Sequence, residues 1–517
     1  MRLVRDDKLW ISAILLIVAM PARADDRLDC FSPATAPAAR IAACGAVAAD
    51  ASLPAATRAD ALIARAAISD NAPALRDYDA ALRLVPDDVT ALLARGKLRE
   101  VTGDLPGAEA DFSAALTKQP TLGEALARRG ELRIRRGATE AGLVDLGDAR
   151  RHAPNDPSPF RTRGRLLLDQ NKLAEARAEL SQAVRLDPRD VESSVLLGIA
   201  ELRSDLAADA IAAFDAALAR NPAHIEARRG RATAHGRQEN YAAAIADLDA
   251  LLKLAPADTA ALKARGVARL QSGAAAEAIA DFTHLLEAAP EDVEARFFRA
   301  TAHVRNRQPR DAEDDFSRVL ATSPAEPDAL NGRGLARLVQ GELGAADADF
   351  TAAIAAKPDA GDTLGNRGQL RLMRGDFAGA ASDLDAALKT DAANLTLALW
   401  RWVARQRAGH DTRTARTELD ATARRLGMSG WPAPVAAYFL GTLSDDDLVA
   451  AAGQTNAADT ALRQSEAYFY LGQSALMRDA RPEAERLFRE ALKRGVHGSF
   501  ADMGAQIELA KLTDKKP

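Results

Sequence analysis

Small and large apolar residues recur along the chain at a fixed spacing of 34 residues. At ten successive sites a small residue is followed, four positions later, by a large apolar one, and positions four apart share one face of a helix. The small residues are Ala74, Ala108, Gly142, Ala176, Ala210, Ala244, Ala278, Ala312, Ala346 and Ala380; the large ones are Tyr78, Phe112, Leu146, Leu180, Phe214, Leu248, Phe282, Phe316, Phe350 and Leu384. The pattern predicts repeated helices, with the large side chain filling the space between repeats.

Proline and glycine follow the same spacing. Because proline has no N–H to donate, it is expected to stop the second helix of each repeat. A small residue ten positions after the proline lets two helices approach closely. The prolines are Pro86, Pro120, Pro154, Pro188, Pro222, Pro256, Pro290, Pro324 and Pro358, with Ala392 in the tenth place; the small residues are Gly96, Gly130, Gly164, Gly198, Gly266, Gly334 and Gly368, with Ala232 and Ala300 in the two others.

This pattern resembles the tetratricopeptide repeat, whose 34-residue unit is a helix, a turn and a second helix. The resemblance implies an all-α fold, an α-solenoid in which the repeats form a right-handed superhelix. The sequence as a whole predicts this division of the chain: a signal peptide at 1–24, a disulfide-stapled helical cap at 25–54, about ten repeats at 55–394, an irregular helical module at 395–462, a final repeat at 463–496, and a capping helix and tail at 497–517.

The first residues are typical of a secretory signal peptide. Basic residues precede an apolar run at 9–20, and Ala22 and Ala24 supply a small-x-small cleavage site. The alternative is a membrane anchor, but a bilayer needs roughly 20 apolar residues and this run is shorter. We therefore predict an exported, periplasmic protein with no membrane span after cleavage.

The chain has two cysteines, Cys30 and Cys44, just after the predicted cleavage site. In an oxidising compartment a single pair is most simply one disulfide, which would staple a helix at 38–48. The alternatives are two free thiols or a redox pair, although the spacing is not C-x-x-C.

Arginine and an acidic residue recur 16 positions apart within the repeats. One repeat has Leu197 and Ala213 instead, so both partners are missing together, which favours pairing within a repeat. The alternative is that the arginines are offered to an anionic ligand. The predicted structural ion pairs are Arg95 with Asp111, Arg129 with Asp145, Arg163 with Glu179, Arg231 with Asp247, Arg265 with Asp281, Arg299 with Asp315, Arg333 with Asp349, and Arg367 with Asp383.

In a tetratricopeptide solenoid the inner, concave surface is mainly first-helix surface. Here its residues are polar, with both charges and one aromatic pair, and such a groove takes a peptide or a partner's helix. We expect Phe297 and Phe298 not to face the repeat core together. The alternative is that these side chains are simply solvated. The candidate partner-binding residues are Arg128, Arg135, Arg161, Arg165, Arg229, Arg237, Phe297, Phe298, Asn331 and Asn366.

The C-terminal part resembles the end of the NlpI family of envelope lipoproteins. The matching segments are WPAPVAAYFLGTLSDDDL at 431–448, EAYFYLG at 466–472 and ALKRGVH at 491–497. The resemblance implies an adaptor that brings peptidoglycan hydrolases together with each other or with a processing protease. This chain differs in lacking the lipid-anchoring cysteine and in its longer array.

Charge and motifs exclude other classes. The 68 basic and 73 acidic residues are interleaved, which leaves no basic surface for nucleic acid. The seven histidines lack metal-ligand spacing, and no nucleophile or phosphate-loop motif is present. We therefore predict no enzyme activity, no metal and no cofactor.

The favoured function is a periplasmic scaffold that binds proteins; the alternative is a structural component of an envelope export or polysaccharide-secretion complex. The partner and the oligomeric state stay open.

Overall fold

A computed structural model of the protein describes residues 24–425, 429–453, 457–494 and 498–513. This part of the chain contains 29 α-helices and no strand, which confirms the predicted all-α class. Residues 1–23, with nearly all of the predicted signal peptide, lie outside the described residues. Among the helices that are described, none is both long and apolar enough to cross a bilayer.

The chain divides into two compact units, residues 1–238 and 239–517. The first unit contains α1 (Ala24–Phe31), α2 (Pro37–Ala49), α3 (Ala55–Ala66), α4 (Asn71–Leu84), α5 (Val89–Val101), α6 (Leu105–Lys118), α7 (Gly123–Arg135), α8 (Thr139–His152), α9 (Ser158–Asp169), α10 (Leu173–Leu186), α11 (Val191–Arg203), α12 (Ala207–Arg220) and α13 (Ile225–Arg237).

The second unit contains α14 (Tyr241–Leu254), α15 (Thr259–Gln271), α16 (Ala275–Ala288), α17 (Val293–Arg305), α18 (Pro309–Thr322), α19 (Pro327–Val339), α20 (Leu343–Ala356), α21 (Gly361–Arg374), α22 (Phe377–Thr390), α23 (Leu395–Arg407), α24 (Thr412–Arg425), α25 (Ala433–Phe439), α26 (Asp445–Ala452), α27 (Ala457–Met477), α28 (Arg481–Arg494) and α29 (Phe500–Thr513). By the 34-residue spacing of the sequence we number helices α3 to α22, two at a time, as repeats 1 to 10; the odd-numbered helix of each repeat is its first helix.

The boundaries of the repeat helices follow from local chemistry. Second helices end two residues before the recurring proline, as α4 does before Pro86, because proline cannot continue the backbone hydrogen bonding. First helices often begin after a capping aspartate. In repeat 2 the Asp88 carboxylate accepts a hydrogen bond from the Ala91 backbone N–H at 2.9 Å, which satisfies one donor at the helix start.

Within a repeat, the large residue of the second helix packs against the glycine of the first helix and holds the two helices together. In repeat 9 a Cβ added to Gly334 would lie 2.6 Å from Cε1 of Phe350, and the Phe350 ring is fully buried. The same close approach joins Gly96 to Phe112 in repeat 2. The glycine thus provides the space into which the ring of the second helix packs.

The two cysteines form a disulfide that connects α1 to α2. Cys30 and Cys44 are bonded to each other, 14 residues apart, and both are fully buried. Closing a loop of this length stabilises by about 3 kcal/mol in the chain-entropy account. Helix α2 covers the predicted helix at 38–48, so the predicted staple is present.

The C-terminal helices fold back onto the array. Ser444 caps α26, and α27 and α28 form a final helix pair in which Phe488 packs on Gly472. Helix α29 packs on this pair and also on α21 of repeat 10. There the Lys511 ammonium donates a hydrogen bond to the Met373 carbonyl oxygen at 2.6 Å. The predicted capping helix therefore covers a first helix of the array as well as the final pair.

Gly334→Val is expected to destabilise the α19–α20 pair by about 2 kcal/mol or more, because the added side chain meets the buried Phe350 ring. Valine is chosen because repeat 8 has Ala300 in the same place, so one methyl group is accommodated. The measurement is hydrogen exchange of peptides that cover residues 327–356. Gly344→Val is the matched control, since nothing lies within 4 Å of a Cβ added there. Equal protection in the two variants would contradict the packing role.

Candidate binding surfaces of the repeats

A buried aspartate in the second helix is held by two arginines of the first helix. In repeat 2, Arg95 donates from Nε to Asp111 Oδ2 at 2.9 Å and from Nη2 to Oδ1 at 2.6 Å. Arg99 donates from Nη1 to the same Oδ2 at 2.9 Å. Asp111 is 3% exposed. The hydrogen bond to Asp111 raises the pKa of Arg95, although burial opposes this, so the guanidinium stays charged.

The same pairing within a repeat is present for seven of the eight predicted pairs. The Arg231–Asp247 pair has one residue in each compact unit and stays a prediction; Arg231 contacts Asp215 at 2.6 Å. The closest contacts of the seven are Arg95–Asp111 at 2.6 Å, Arg129–Asp145 at 2.8 Å, Arg163–Glu179 at 3.0 Å, Arg265–Asp281 at 2.6 Å, Arg299–Asp315 at 2.7 Å, Arg333–Asp349 at 2.7 Å and Arg367–Asp383 at 2.8 Å.

The arginines also reach the preceding repeat, which the sequence analysis missed. The remaining nitrogen of Arg95 donates to Asp79 Oδ1 at 2.7 Å, and that of Arg265 to Asp249 Oδ1 at 2.6 Å. In both cases the acceptor lies 16 residues before the arginine. A recurring Asp, Ser or Thr two positions after the buried acid was the available signal. One guanidinium therefore bonds to both its own repeat and the previous one.

Repeat 1 contains a further pair that the sequence analysis missed. Arg65 contacts Asp77 at 2.6 Å. Ala61 lies 34 residues before Arg95, so repeat 1 lacks the arginine of the predicted pairs. Arg65 lies 34 residues before Arg99 and is the equivalent of that second arginine. The recurrence of Arg99, Arg133 and their equivalents at this second position was the signal.

On the predicted concave face, the candidate arginines of the first unit contact acids of neighbouring repeats. Arg128 and Arg135 contact Glu100 at 3.0 and 3.4 Å. Arg161 contacts Asp190 at 2.6 Å. These contacts connect successive first helices rather than the two helices of one repeat.

The other candidates of this face behave similarly. Arg165 pairs with Glu192, and Arg237 contacts Asp205 at 3.3 Å. Asn366 donates to Asn331 at 3.0 Å. Arg229 lies on α13 and its side chain is exposed.

In repeats 2 to 4 this face keeps much of its charge accessible to solvent. The side chains of Lys97, Glu124, Arg128, Arg135 and Arg165 are between 39% and 51% exposed. We call these five residues the charged band. Exposed pairs of this kind are worth about 0 to 1 kcal/mol. A bound partner can therefore replace the Lys97–Glu124 and Arg165–Glu192 pairs at little cost, whereas the Glu100 side chain that Arg128 and Arg135 contact is only 13% exposed.

The expectation for the two phenylalanines is wrong. Phe298 stacks on Phe282 of repeat 7, with ring centroids 5.9 Å apart, while Phe297 packs edge-on against Phe316 of its own repeat at 5.7 Å. Both are partly buried. The side chains of neighbouring residues on a helix point about 100° apart. The Phe298 ring can therefore pack against repeat 7 while the Phe297 ring packs against the second helix of its own repeat.

The C-terminal helices cover the same face at the end of the array. In the helix that follows repeat 10, the Trp400 ring lies 5.1 Å from Phe469 and 6.2 Å from Tyr470, both of α27. Trp400 is 3% exposed. Arg407 of α23 donates to Gln473 of α27 at 2.7 Å. The chain's own helices thus occupy the position that a partner would take there.

Repeat 5 replaces the arginines and the acid together. Leu197 and Ala213 stand at the positions of the predicted pair, and Glu201 stands where repeat 2 has Arg99. Glu201 is 8% exposed, and its Oε2 has no hydrogen-bond partner among the described residues. Burial, and secondarily the nearby Asp209, raise the pKa of Glu201 to about 7.

Across the described residues, no group of three or more His, Cys, Asp and Glu side chains is arranged to hold a metal ion.

Asp111→Ala is expected to destabilise repeat 2 by about 3–5 kcal/mol, because Arg95 and Arg99 are left partly buried without their carboxylate. Faster hydrogen exchange of peptides covering residues 89–118 would measure this. The control is Asp87→Ala, which removes an exposed partner of Lys118 and should cost less than about 1 kcal/mol. Similar effects of the two substitutions would contradict the structural role of the buried carboxylate.

Glu201→Gln is expected to stabilise the protein at pH 8 by up to about 3 kcal/mol, with the gain fading by pH 5. The pKa of Glu201 is raised from 4.5 to about 7, so the folded protein binds more protons than the unfolded chain between these values and loses stability as the pH rises through them. Unfolding midpoints across this pH range are the measurement. Glu175→Gln, at an exposed site on α10, is the control; a gain for Glu201→Gln that does not change with pH would contradict the account.

Several solved structures are similar to parts of this chain. A tetratricopeptide repeat protein from Parabacteroides merdae is 19% identical over 48% of this chain and 98% of its own, with a TM-score of 0.33. YrrB, described as a TPR protein with an unusual peptide-binding site, is 20% identical over 36% and 97%, with a TM-score of 0.31. MamA from Desulfovibrio magneticus RS-1 is 22% identical over 33% and 96%, with a TM-score of 0.32. No curated protein matches the sequence.

The family model for the tetratricopeptide repeat matches residues 59–123, 161–225, 229–293, 297–360 and 333–395, which together make up more than half of the chain. The helix pairs, their 34-residue spacing and the glycine-to-phenylalanine packing agree with this match. The chain belongs to the tetratricopeptide repeat family.

Proposed function

We propose that the protein is a periplasmic scaffold of the bacterial cell envelope, which binds segments of other proteins along the charged band. The band carries the proposal because its five side chains lie on successive first helices and are accessible to solvent. Lys97 and Arg165 are held only by weak, exposed pairs with Glu124 and Glu192 on the same face. A peptide or helix with charges of both signs can exchange for those pairs.

A ligand can displace exposed ion pairs of the charged band more easily than the buried arginine–aspartate pairs. Arg95 and Arg129 hold aspartates that are buried, so a ligand would have to leave an unpaired charge inside the repeat. The exposed pairs of the band, Lys97 with Glu124 and Arg165 with Glu192, leave no buried charge unpaired when they separate. Binding through the band therefore leaves the fold unchanged.

The compartment and the partner class have separate support. The Cys30–Cys44 disulfide favours an oxidising compartment, as does the apolar run near the N-terminus of the sequence. Tetratricopeptide repeat proteins are generally scaffolds without catalytic activity. The resemblance of the C-terminal part to NlpI favours envelope enzymes as partners, in particular peptidoglycan hydrolases or a protease.

The test is affinity capture from a periplasmic extract, with the captured proteins identified by mass spectrometry. We expect hydrolases or a protease with the native chain. Lys97→Glu combined with Arg165→Glu should weaken their capture about tenfold, because two exposed charges of the band are reversed. The matched control is Arg151→Glu combined with Arg185→Glu, which reverses two exposed charges on second helices.

Equal loss of capture in both double variants would contradict binding through the band. Capture of outer-membrane channel subunits instead of soluble enzymes would favour a role in an envelope export complex. Intact-mass measurement tests the compartment separately: secreted protein should lack the apolar N-terminal run and should have no thiol that alkylates. A mass that includes Met1, or two alkylated thiols, would contradict the periplasmic assignment.

A further inference from the structure

A cavity of about 250 Å³ lies in repeat 5, at the place where the other repeats hold arginine and acid side chains. It is lined by residues of α10, α11 and α12, all in the first unit. Leu197 and Ala213, which replace the arginine and the acid, form part of its buried wall. Asp209, Ala212 and Ala216 line it from the exposed side of α12, so the cavity opens to solvent.

The polar group within this cavity is incompletely satisfied. Glu201 lines it, is 8% exposed, and has no hydrogen-bond partner for Oε2 within the described part of the chain. A buried carboxylate without a partner is costly, and native proteins usually supply one. The acidic Asp209 at the rim adds a second negative charge to the cavity.

The arginine that faces Glu201 from the preceding repeat does not supply the missing hydrogen bond to Oε2. At the equivalent positions, Arg133 contacts Glu109 at 3.0 Å and Arg337 contacts Glu313 at 2.8 Å. In repeat 5 the charges are exchanged: the acid is Glu201 on α11 and the arginine is Arg177 on α10. The Nε of Arg177 is also buried and has no partner among the described residues. Two acids and one arginine leave the cavity negative when both acids are ionised.

We propose that this cavity binds a guanidinium cation, which takes the place of the arginine that the chain itself supplies in the neighbouring repeats. The Glu201 carboxylate accepts charge-assisted hydrogen bonds from the guanidinium, which presents several donors in a plane. Leu197, Ala213 and Val184 pack against the methylene stem. The guanidinium comes either from an arginine side chain of a bound protein or from a small free compound.

The site does not depend on the function proposed above. Leu197 and Glu201 face the second helix of their own repeat, whereas the charged band lies on the first-helix face of repeats 2 to 4. Loss of binding at one place therefore leaves the other intact.

Isothermal titration calorimetry of the full chain at pH 7.5 tests the proposal with two probes. One is agmatine, a free guanidinium compound; the other is a capped pentapeptide with one arginine between alanines. Each has a matched control, the pentapeptide with citrulline, which is neutral and nearly the same shape, and butylamine in place of agmatine. We expect arginine to bind at least about tenfold more tightly than citrulline. Tighter binding of the peptide identifies a protein side chain as the source, and tighter binding of agmatine identifies a small compound.

Two variants locate the binding. Glu201→Gln keeps the shape, removes the charge, and should weaken both probes at least about tenfold. Leu197→Arg combined with Ala213→Asp restores the residues of the neighbouring repeats, fills the cavity, and should abolish binding. Both variants are expected to fold at least as well as the native chain, which circular dichroism and unfolding midpoints will verify, so that lost binding is not lost structure.

The pH dependence gives a second readout. The groups that face Glu201 are Arg177 from α10 and Asp209 from α12. Since the cation binds the ionised carboxylate, affinity should rise by about tenfold between pH 6 and pH 8, and binding near pH 6.5 should release a proton. Citrulline binding as tight as arginine, unchanged affinity in Glu201→Gln, or dissociation constants of both probes weaker than about 10 mM would overturn the proposal.

Discussion

The structure depends on one guanidinium that bonds in two directions. Arg95 donates hydrogen bonds from two nitrogens to the buried Asp111 of its own repeat and from the third nitrogen to Asp79 of the preceding repeat. Burying such charges costs nearly as much as their attraction returns, so the network adds little net stability. Apolar packing, as between Gly96 and Phe112, supplies the driving force. The arginine contributes register instead, because a helix that slides or rotates leaves a buried carboxylate unpaired.

Charged side chains therefore have two roles in this protein, and the degree of burial of a pair decides which role it has. Within a repeat, the acids are almost fully buried, and their partners are fixed. Along the first-helix face, as at Lys97 and Glu124, the pairs are partly hydrated and replaceable. Repeat 5 belongs to neither kind, since Glu201 is buried like the first group and yet lacks a completed partner in the described residues. The same residue types thus act as fixed contacts, exchangeable contacts or an incomplete site according to their solvent access.

Sequence periodicity predicted what is local to one repeat. The helices, their ends at the prolines, the close approach of helices at the recurring glycine and seven of the ion pairs follow from positions within 34 residues. It did not predict contacts that depend on how far a side chain reaches, such as Arg95 to Asp79, or on the packing of two rings in opposite directions, such as Phe297 and Phe298. The raised pKa of Glu201 depends on burial, which the spacing of residues along the sequence does not reveal. The contact of Lys511 with Met373 joins residues 138 positions apart, and no repeat pattern encodes it.

The return of α29 onto α21 also limits how such a chain can lengthen through gene duplication. A helix pair copied within the middle of the array meets neighbours like its own and needs no special surface. A pair inserted after repeat 10 would instead separate Met373 from Lys511 and move Trp400 away from the first helix that now lies beside it. Lengthening by whole helix pairs therefore preserves the contact between Lys511 and Met373 only when the new pair is added ahead of repeat 10.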